Sequence, residues 1–165
     1  MPDREELKQA RSKAFRFLSY RDRSRYEVDT HLTKKGFSKS AIRQTIDALM
    51  KLNYINDERF AFSWARSRLE TKQFGKNRLR QELSAKGIDP GLADQTLSKL
   101  FSEVDELAVA QTCARKKLSS LKELDADKKR RRLAQFLQRK GFPADTIYRI
   151  VETMTPFRDG SERSS

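Results

Sequence analysis

The chain has 165 residues with six Gly, four Pro, one Cys and one His, and 36 Lys and Arg against 23 Asp and Glu give a formal net charge of +13. The single Cys113 excludes a disulfide scaffold, and one Cys with one His is too little for a zinc site of the usual ligands. No run of about 18 apolar residues exists to span a bilayer, and Met1–Arg11 lacks the apolar segment of a secretory signal, so the expected compartment is the reducing cytoplasm.

Apolar residues recur at helical spacing throughout, and no period-two strand pattern interrupts them. The first expected helix covers about 4–20. Ser24 with Glu27 three residues on is a capping-box signature, and it opens a helix over 24–35. Lys35-Gly36 stops that helix, because glycine takes the left-handed conformation without penalty. Ser38 opens 38–51, and Asn56 opens 56–72 with Asp57 and Glu58 in its first turn. A helix over 75–86 ends at Lys86-Gly87, and Asp89-Pro90 opens 89–101. Ser102, Glu103 and Asp105 form the start signal of a helix over 103–119. The next covers 127–140 and ends at Lys140-Gly141, and Pro143 starts the last, 143–154. Thr155–Ser165 is polar and aperiodic and is expected to be disordered.

The chain repeats itself. Aligned on Gly36, Gly87 and Gly141, each copy has an apolar residue eight before (Val28, Leu79, Leu133) and a Leu four before (Leu32, Leu83, Leu137). Phe37, Ile88 and Phe142 follow the glycines directly, and Ile46, Leu97 and Val151 stand ten after. Ala14 and Ala65 share an offset in the first two copies, and Ala114 joins them if about five residues are inserted near 121–126. The fold expected is therefore all-α, three tandem three-helix repeats at 1–54, 55–101 and 102–154. Such units complete their cores by stacking, which predicts an elongated, curved, solenoid-like array. Net charges of +5, +4 and +4 over 1–60, 61–101 and 102–165 suit a long anionic partner better than a local site.

The chemical inventory is thin. No acid–base pair, nucleophile or phosphate loop appears, so no catalytic residue, cofactor, metal or small-molecule substrate is expected. His31 reads as a surface or core-edge histidine and Cys113 as a small apolar core residue. Phe15, Phe60, Phe62, Trp64, Phe101 and Phe136 read as core aromatics. The basic stretches say more. Tyr20-Arg21-Asp22-Arg23-Ser24-Arg25-Tyr26 mixes Arg with aromatic residues at a helix corner. Lys76 and Arg80 lie one turn apart on a solvent face, while Arg78 is placed to pair with Glu82. Lys128, Lys129, Arg130, Arg131 and Arg132 open a helix, where the dipole disfavours cations, and this points to an external anion.

Three segments resemble the RecX family, regulators of the bacterial RecA recombinase. The first is Arg21, Arg23-Ser24 and Glu27-Val28, running on to Leu32 and Lys35-Gly36. The second is Asn53-Tyr54-Ile55-Asn56-Asp57-Glu58-Arg59-Phe60-Ala61, with Asn53 in place of the family's usual Gly and Asn56 in place of its first Asp. The third is Phe74-Gly75-Lys76, then Arg78-Leu79-Arg80-Gln81-Glu82-Leu83 and Lys86-Gly87-Ile88. The third copy matches through Leu137 and Lys140-Gly141-Phe142. The resemblance implies docking in the groove of the RecA filament on single-stranded DNA, limiting filament growth, ATP hydrolysis and strand exchange, without enzymatic activity. On that reading the contact residues are Arg21, Arg25, Arg59, Lys76, Arg80 and Lys86, with Lys128–Arg132 as a second patch and Gly36, Gly87, Gly141, Asp57 and Glu58 as structural positions. The alternative is a helical protein that binds DNA directly through its basic face; no membrane partner is expected.

Overall fold

The structure is a computed structural model, and it describes residues 1–156. Among these, nine helices form: α1 Arg4–Tyr20, α2 Arg25–Lys34, α3 Lys39–Lys51, α4 Asp57–Lys72, α5 Lys76–Ala85, α6 Pro90–Glu103, α7 Glu106–Ser119, α8 Ala126–Arg139 and α9 Ala144–Met154. No strand occurs among the described residues. Most of the tail expected to be disordered, from position 157 on, lies outside them.

Local capping accounts for most boundaries. Ser24 accepts from the Glu27 N–H while the Glu27 carboxylate accepts from the Ser24 N–H, the complete capping box. Ser38 accepts from Ala41 N–H and Asn56 from Arg59 N–H. Two expected starts move. Ser102 and Glu103 lie in α6, and Asp105 alone caps α7, accepting from Leu107 and Ala108 N–H. Pro143 is the N-cap of α9, one position before the helix. The basic run of α8 is also compensated locally: Asp125 caps the helix, accepting from Lys128 N–H, Asp127 lies in its first turn, and Arg130 pairs with Glu152 at 2.6 Å. The argument that its charge demands an external anion does not hold against those three carboxylates.

The repeat positions are the core. All six residues eight and four before the glycines are 0 % exposed. At each corner the residue after the glycine donates its N–H back to that Leu carbonyl: Phe37 to Leu32, Ile88 to Leu83, Phe142 to Leu137. The glycines sit at φ +90°, +74° and +90°, the left-handed region. Their surroundings differ. A Cβ on Gly36 would meet nothing within 4 Å, one on Gly87 would overlap Tyr26, and one on Gly141 would overlap the Cβ and backbone N of Arg78. The aromatics depart from expectation. Of the six expected in the core only Phe60 is buried, and Phe15 is 42 % exposed. Leu, Ile, Val and Ala fill most of the interior, joined by Phe60 and Phe142, while Phe136 packs against it partly buried.

Two compact units result: Met1–Arg66 with Glu82–Ser98, and Ser67–Gln81 with the residues from Lys99 onward. In the first, Ala14, Val28, Leu32, Ile42, Ile46, Leu49 and Ile55 form one cluster, flanked by Phe17, Leu18 and Phe37. In the second, Ala110, Cys113, Ala114, Leu133, Leu137, Phe142, Ile150 and Val151 form another. Thr45 in α3 is 0 % exposed and its hydroxyl has no hydrogen-bond partner among the described residues. Thr45→Val removes that unmet polar atom at constant shape. It should raise stability by about 1 kcal/mol, read as a higher urea midpoint at unchanged slope.

Candidate partner-binding surface

Glu27 is the centre of the first unit's charged surface. Capping places its carboxylate at the start of α2, beside the extended segment that leaves α1 at Arg21. Arg21 grips it with two hydrogen bonds, 2.6 Å and 3.2 Å, Lys86 Nζ lies at 3.4 Å and Arg23 Nη1 at 3.8 Å. Burial alone would raise the Glu27 pKa. The hydrogen bonds from Arg21 and Ser24 N–H, with the charges of Arg21 and Lys86, outweigh it and hold the carboxyl below its usual range. Lys86 Nζ and the Arg21 guanidinium also stand 4.6 Å and 5.5 Å from the Trp64 ring centroid. The Trp64 indole donates to Glu82 at 3.0 Å, and Ser24 Oγ donates to the Lys86 carbonyl at 2.7 Å.

Arg21 and Lys86, both expected to meet a partner, are thus brought together around one internal carboxylate. Arg59 is held likewise, its Nε 3.4 Å from Asp22 and its Nη1 donating to the Asn53 carbonyl. Arg25 differs: its backbone N–H donates to Asp57 at 2.8 Å, and its exposed side chain has no partner among the described residues. Asp57 therefore holds an α2 start, and Glu58 is exposed.

The second unit repeats the device. Lys76 N–H, at the start of α5, donates to Glu106 at 2.7 Å, as Arg25 does to Asp57. Burial pushes the Glu106 carboxyl up, against the Lys76 hydrogen bond and charge. Arg80 is exposed and reaches Asn77 Oδ1 at 3.4 Å. Arg78 lies 4.6 Å over the Phe74 ring and donates to the Arg139 carbonyl. Glycine alignment puts Arg25, Lys76 and Arg130 at one repeat position, eleven before Gly36, Gly87 and Gly141. Arg130 alone is closed down, by Glu152 and by the Thr155 carbonyl.

That alignment reveals a feature the chain-order reading missed. Each unit has an open groove, beside α2 and α3 in the first and α8 and α9 in the second; the eight lining positions of the first recur in the second, which adds Asn77 and Glu152. Arg25, Thr33, Phe37, Ile42 and Ile46 line the first, and Arg130, Gln138, Phe142, Ile147 and Val151 the second. The chemistry diverges at the rims: Lys39 and Arg43 in the first stand where the second has Ala144 and Tyr148. The same scaffold thus presents a cationic groove in one unit and a largely apolar one in the other. Applying the glycine register to solvent-facing as well as apolar positions would have found it.

Among the described residues, no group of three or more His, Cys, Asp and Glu is placed to hold a metal ion, and no helix is long and apolar enough to cross a membrane. Cys113 is buried, and burial pushes its thiol pKa up, away from the reactive thiolate.

Known proteins resemble this chain in sequence and fold. Models of the RecX first, second and third three-helix domains match residues 10–49, 56–97 and 103–151. The regulatory protein RecX of Bacillus licheniformis is 36% identical over 98% of this chain, which spans 61% of that longer protein. The regulatory protein RecX of Amycolatopsis mediterranei is 32% identical over 92% of this chain and 86% of its own length. The crystal structure of RecX from Lactobacillus salivarius has a TM-score of 0.81 at 28% identity, covering 91% of this chain and 97% of that one.

Proposed function

The chain belongs to the RecX family of regulatory proteins, and from that premise we propose that it is a non-enzymatic modulator of the RecA recombinase. It binds the helical groove of the RecA filament on single-stranded DNA and limits filament growth, ATP hydrolysis and strand exchange. The tandem match of three regulatory domains in order along the chain carries this reading. The cation recurring at Arg25 and Lys76, each anchored through its backbone by an acid from the next repeat, supports it. Complementary charge accelerates and orients encounters with an anionic partner.

The deciding assay is RecA ATPase on single-stranded DNA at low salt, with and without the protein. Slowed hydrolysis and shortened filaments are expected, and an unchanged rate and filament lifetime would reject the reading. Within it, Arg25, Lys76 and Arg80 face the partner, while Arg21, Arg59 and Lys86 hold the surface in shape. Replacing Lys76 and Arg80 together by Glu should raise the concentration for half-maximal inhibition about tenfold, with helicity by circular dichroism unchanged. Full inhibition by that variant would move the contact elsewhere.

A further inference from the structure

We propose that the Lys35-Gly36 corner of the first unit is a docking site for another protein, and that what it takes is the start of a helix. The chain fills the equivalent corners twice with its own helices. At Lys86-Gly87, Ser24 Oγ donates to the Lys86 carbonyl at 2.7 Å and Arg25 N–H donates to Asp57 at 2.8 Å. At Lys140-Gly141, Gly75 N–H donates to the Lys140 carbonyl at 2.7 Å and Asn77 N–H to the Gly141 carbonyl at 2.9 Å. There Lys76 N–H donates to Glu106 at 2.7 Å. In both corners the seated group is the first turn of a helix, α2 or α5, whose N–H groups have no partner inside their own helix. Each of these arrangements lies within a single unit.

The corner at Gly36 has the same parts with nothing seated on them. Its Lys35 and Gly36 carbonyls accept no hydrogen bond among the described residues, and Lys35 Nζ makes no ion pair there. Both residues are exposed, and a Cβ on Gly36 would meet nothing within 4 Å. Glu6 stands thirty residues before Gly36, as Asp57 stands thirty before Gly87, and Glu106 matches them once the insertion of about five residues is allowed for. Glu6 Oε1 accepts from Ser38 N–H at 2.7 Å, which holds the carboxylate beside the corner. Its other oxygen has no partner among the described residues.

Charge and donor chemistry select the occupant. The two carbonyls stand at the negative end of the α2 dipole, and with the Glu6 carboxylate they form a set of acceptors. A helix N-terminus, positive and rich in unpaired N–H groups, is the matching set of donors. The lysine adds a second requirement. Lys86 Nζ reaches Glu27, the third residue of the helix seated on it, at 3.4 Å. Lys140 Nζ reaches the Lys72 carbonyl, at the end of the helix that leads into α5, at 2.8 Å. Lys35 is open to such an acid. The start that fits has Ser or Gly at its cap and Glu three residues on, as Ser24 and Glu27 stand. A second copy of the chain does not supply one. Its α2 and α5 starts are already seated, and its α8 begins at Ala126, four residues earlier in register, so the Arg130 N–H is used inside the helix.

The test titrates the full chain, followed by amide NMR, with an acetylated peptide of residues 22–35, which carries the capping box of α2. No RecA is present, so failure leaves the ATPase result untouched. A peptide of that length is mostly unfolded by itself, so saturation is expected at about millimolar concentration. The Lys35, Gly36 and Phe37 amide signals should shift and saturate together. Gly36→Ala should weaken binding by about fivefold or more, with helicity by circular dichroism unchanged. Its methyl is unobstructed in the free chain, whereas a methyl in either filled corner would come within 2.2 Å of the seated helix. Lys35→Ala in the chain and Glu27→Gln in the peptide, which keeps the capping box, should each weaken binding about threefold, and together no more than either. Shifts centred away from Gly36, full affinity in Gly36→Ala, or losses that multiply would each overturn the assignment. Broadening of the same signals with rising protein concentration and no peptide would overturn the foreign partner in favour of a second copy.

Discussion

Gly141→Ala is expected to destabilise the protein by about 2–5 kcal/mol, and Gly36→Ala by only about 1–2 kcal/mol, although both glycines end a helix at φ +90°. The shared part is the left-handed conformation, which costs an L-residue about 1–2 kcal/mol at either site. The difference is what the new methyl meets. At Gly36 there is nothing within 4 Å. At Gly141 it overlaps the backbone of Arg78 in α5, whose neighbours bind this corner directly: Gly75 N–H donates to the Lys140 carbonyl and Asn77 N–H to the Gly141 carbonyl. That backbone cannot yield without breaking those bonds, so overpacking adds about 1–3 kcal/mol. Gly87 should resemble Gly141 rather than Gly36, since its methyl would overlap the Cβ and Cγ of Tyr26, and that Cβ is fixed by the backbone of α2. Urea unfolding of the three variants measures the order. Equal losses would mean that the corners act through their dihedral angle alone.

Loss of the Glu27 carboxylate is the second large effect. Glu27→Ala should cost about 3 kcal/mol, because it leaves Arg21, Arg23 and Lys86 facing one another and takes the reciprocal bond from Ser24 N–H. The side chain of Glu27 is only 12 % exposed, so water replaces little of what is lost. The same site sets a pH dependence. The folded-state pKa lies below the unfolded value of about 4.3, so the ionised form is bound more tightly in the folded protein. That stabilisation is complete above the unfolded pKa and disappears as pH falls through the folded one. Urea midpoints of the unmodified protein and Glu27→Gln, measured from pH 7 down to pH 3, should converge toward acid. A gap that stays constant with pH would show that the carboxylate acts by shape and not by charge.

The helices and their stops were legible because their causes are short-range. A capping box spans three residues, a glycine stop needs one left-handed residue, and the core stripe recurs within a turn or two. Of the two starts that move, that of α9 shifts by one residue, and that of α7 falls after Asp105 because α6 runs on through Ser102 and Glu103. The surface was legible only in part. Arg25, Lys76 and Arg80 carry the exposure or repeat placement expected of contact residues, but nothing local distinguishes them from Arg21 and Lys86. Those two share Glu27 across a separation of 59 residues between Lys86 and its carboxylate.

The chain alone therefore decides the three-fold repeat, the helical class and the charge carried by each copy, since each follows from composition and spacing within about fifty residues. Packing decides what the repeat makes equivalent on paper. One glycine corner is left open and two are crowded, because neighbouring helices arrive only in the folded protein. Some cations are tied to internal carboxylates and others face solvent, because an ion pair depends on distance in space rather than along the chain. The lone histidine reads as a surface or core-edge residue in the sequence. In the fold it stacks on Phe17 among Lys13, Lys34 and Lys35, where two helices together supply what neither holds by itself.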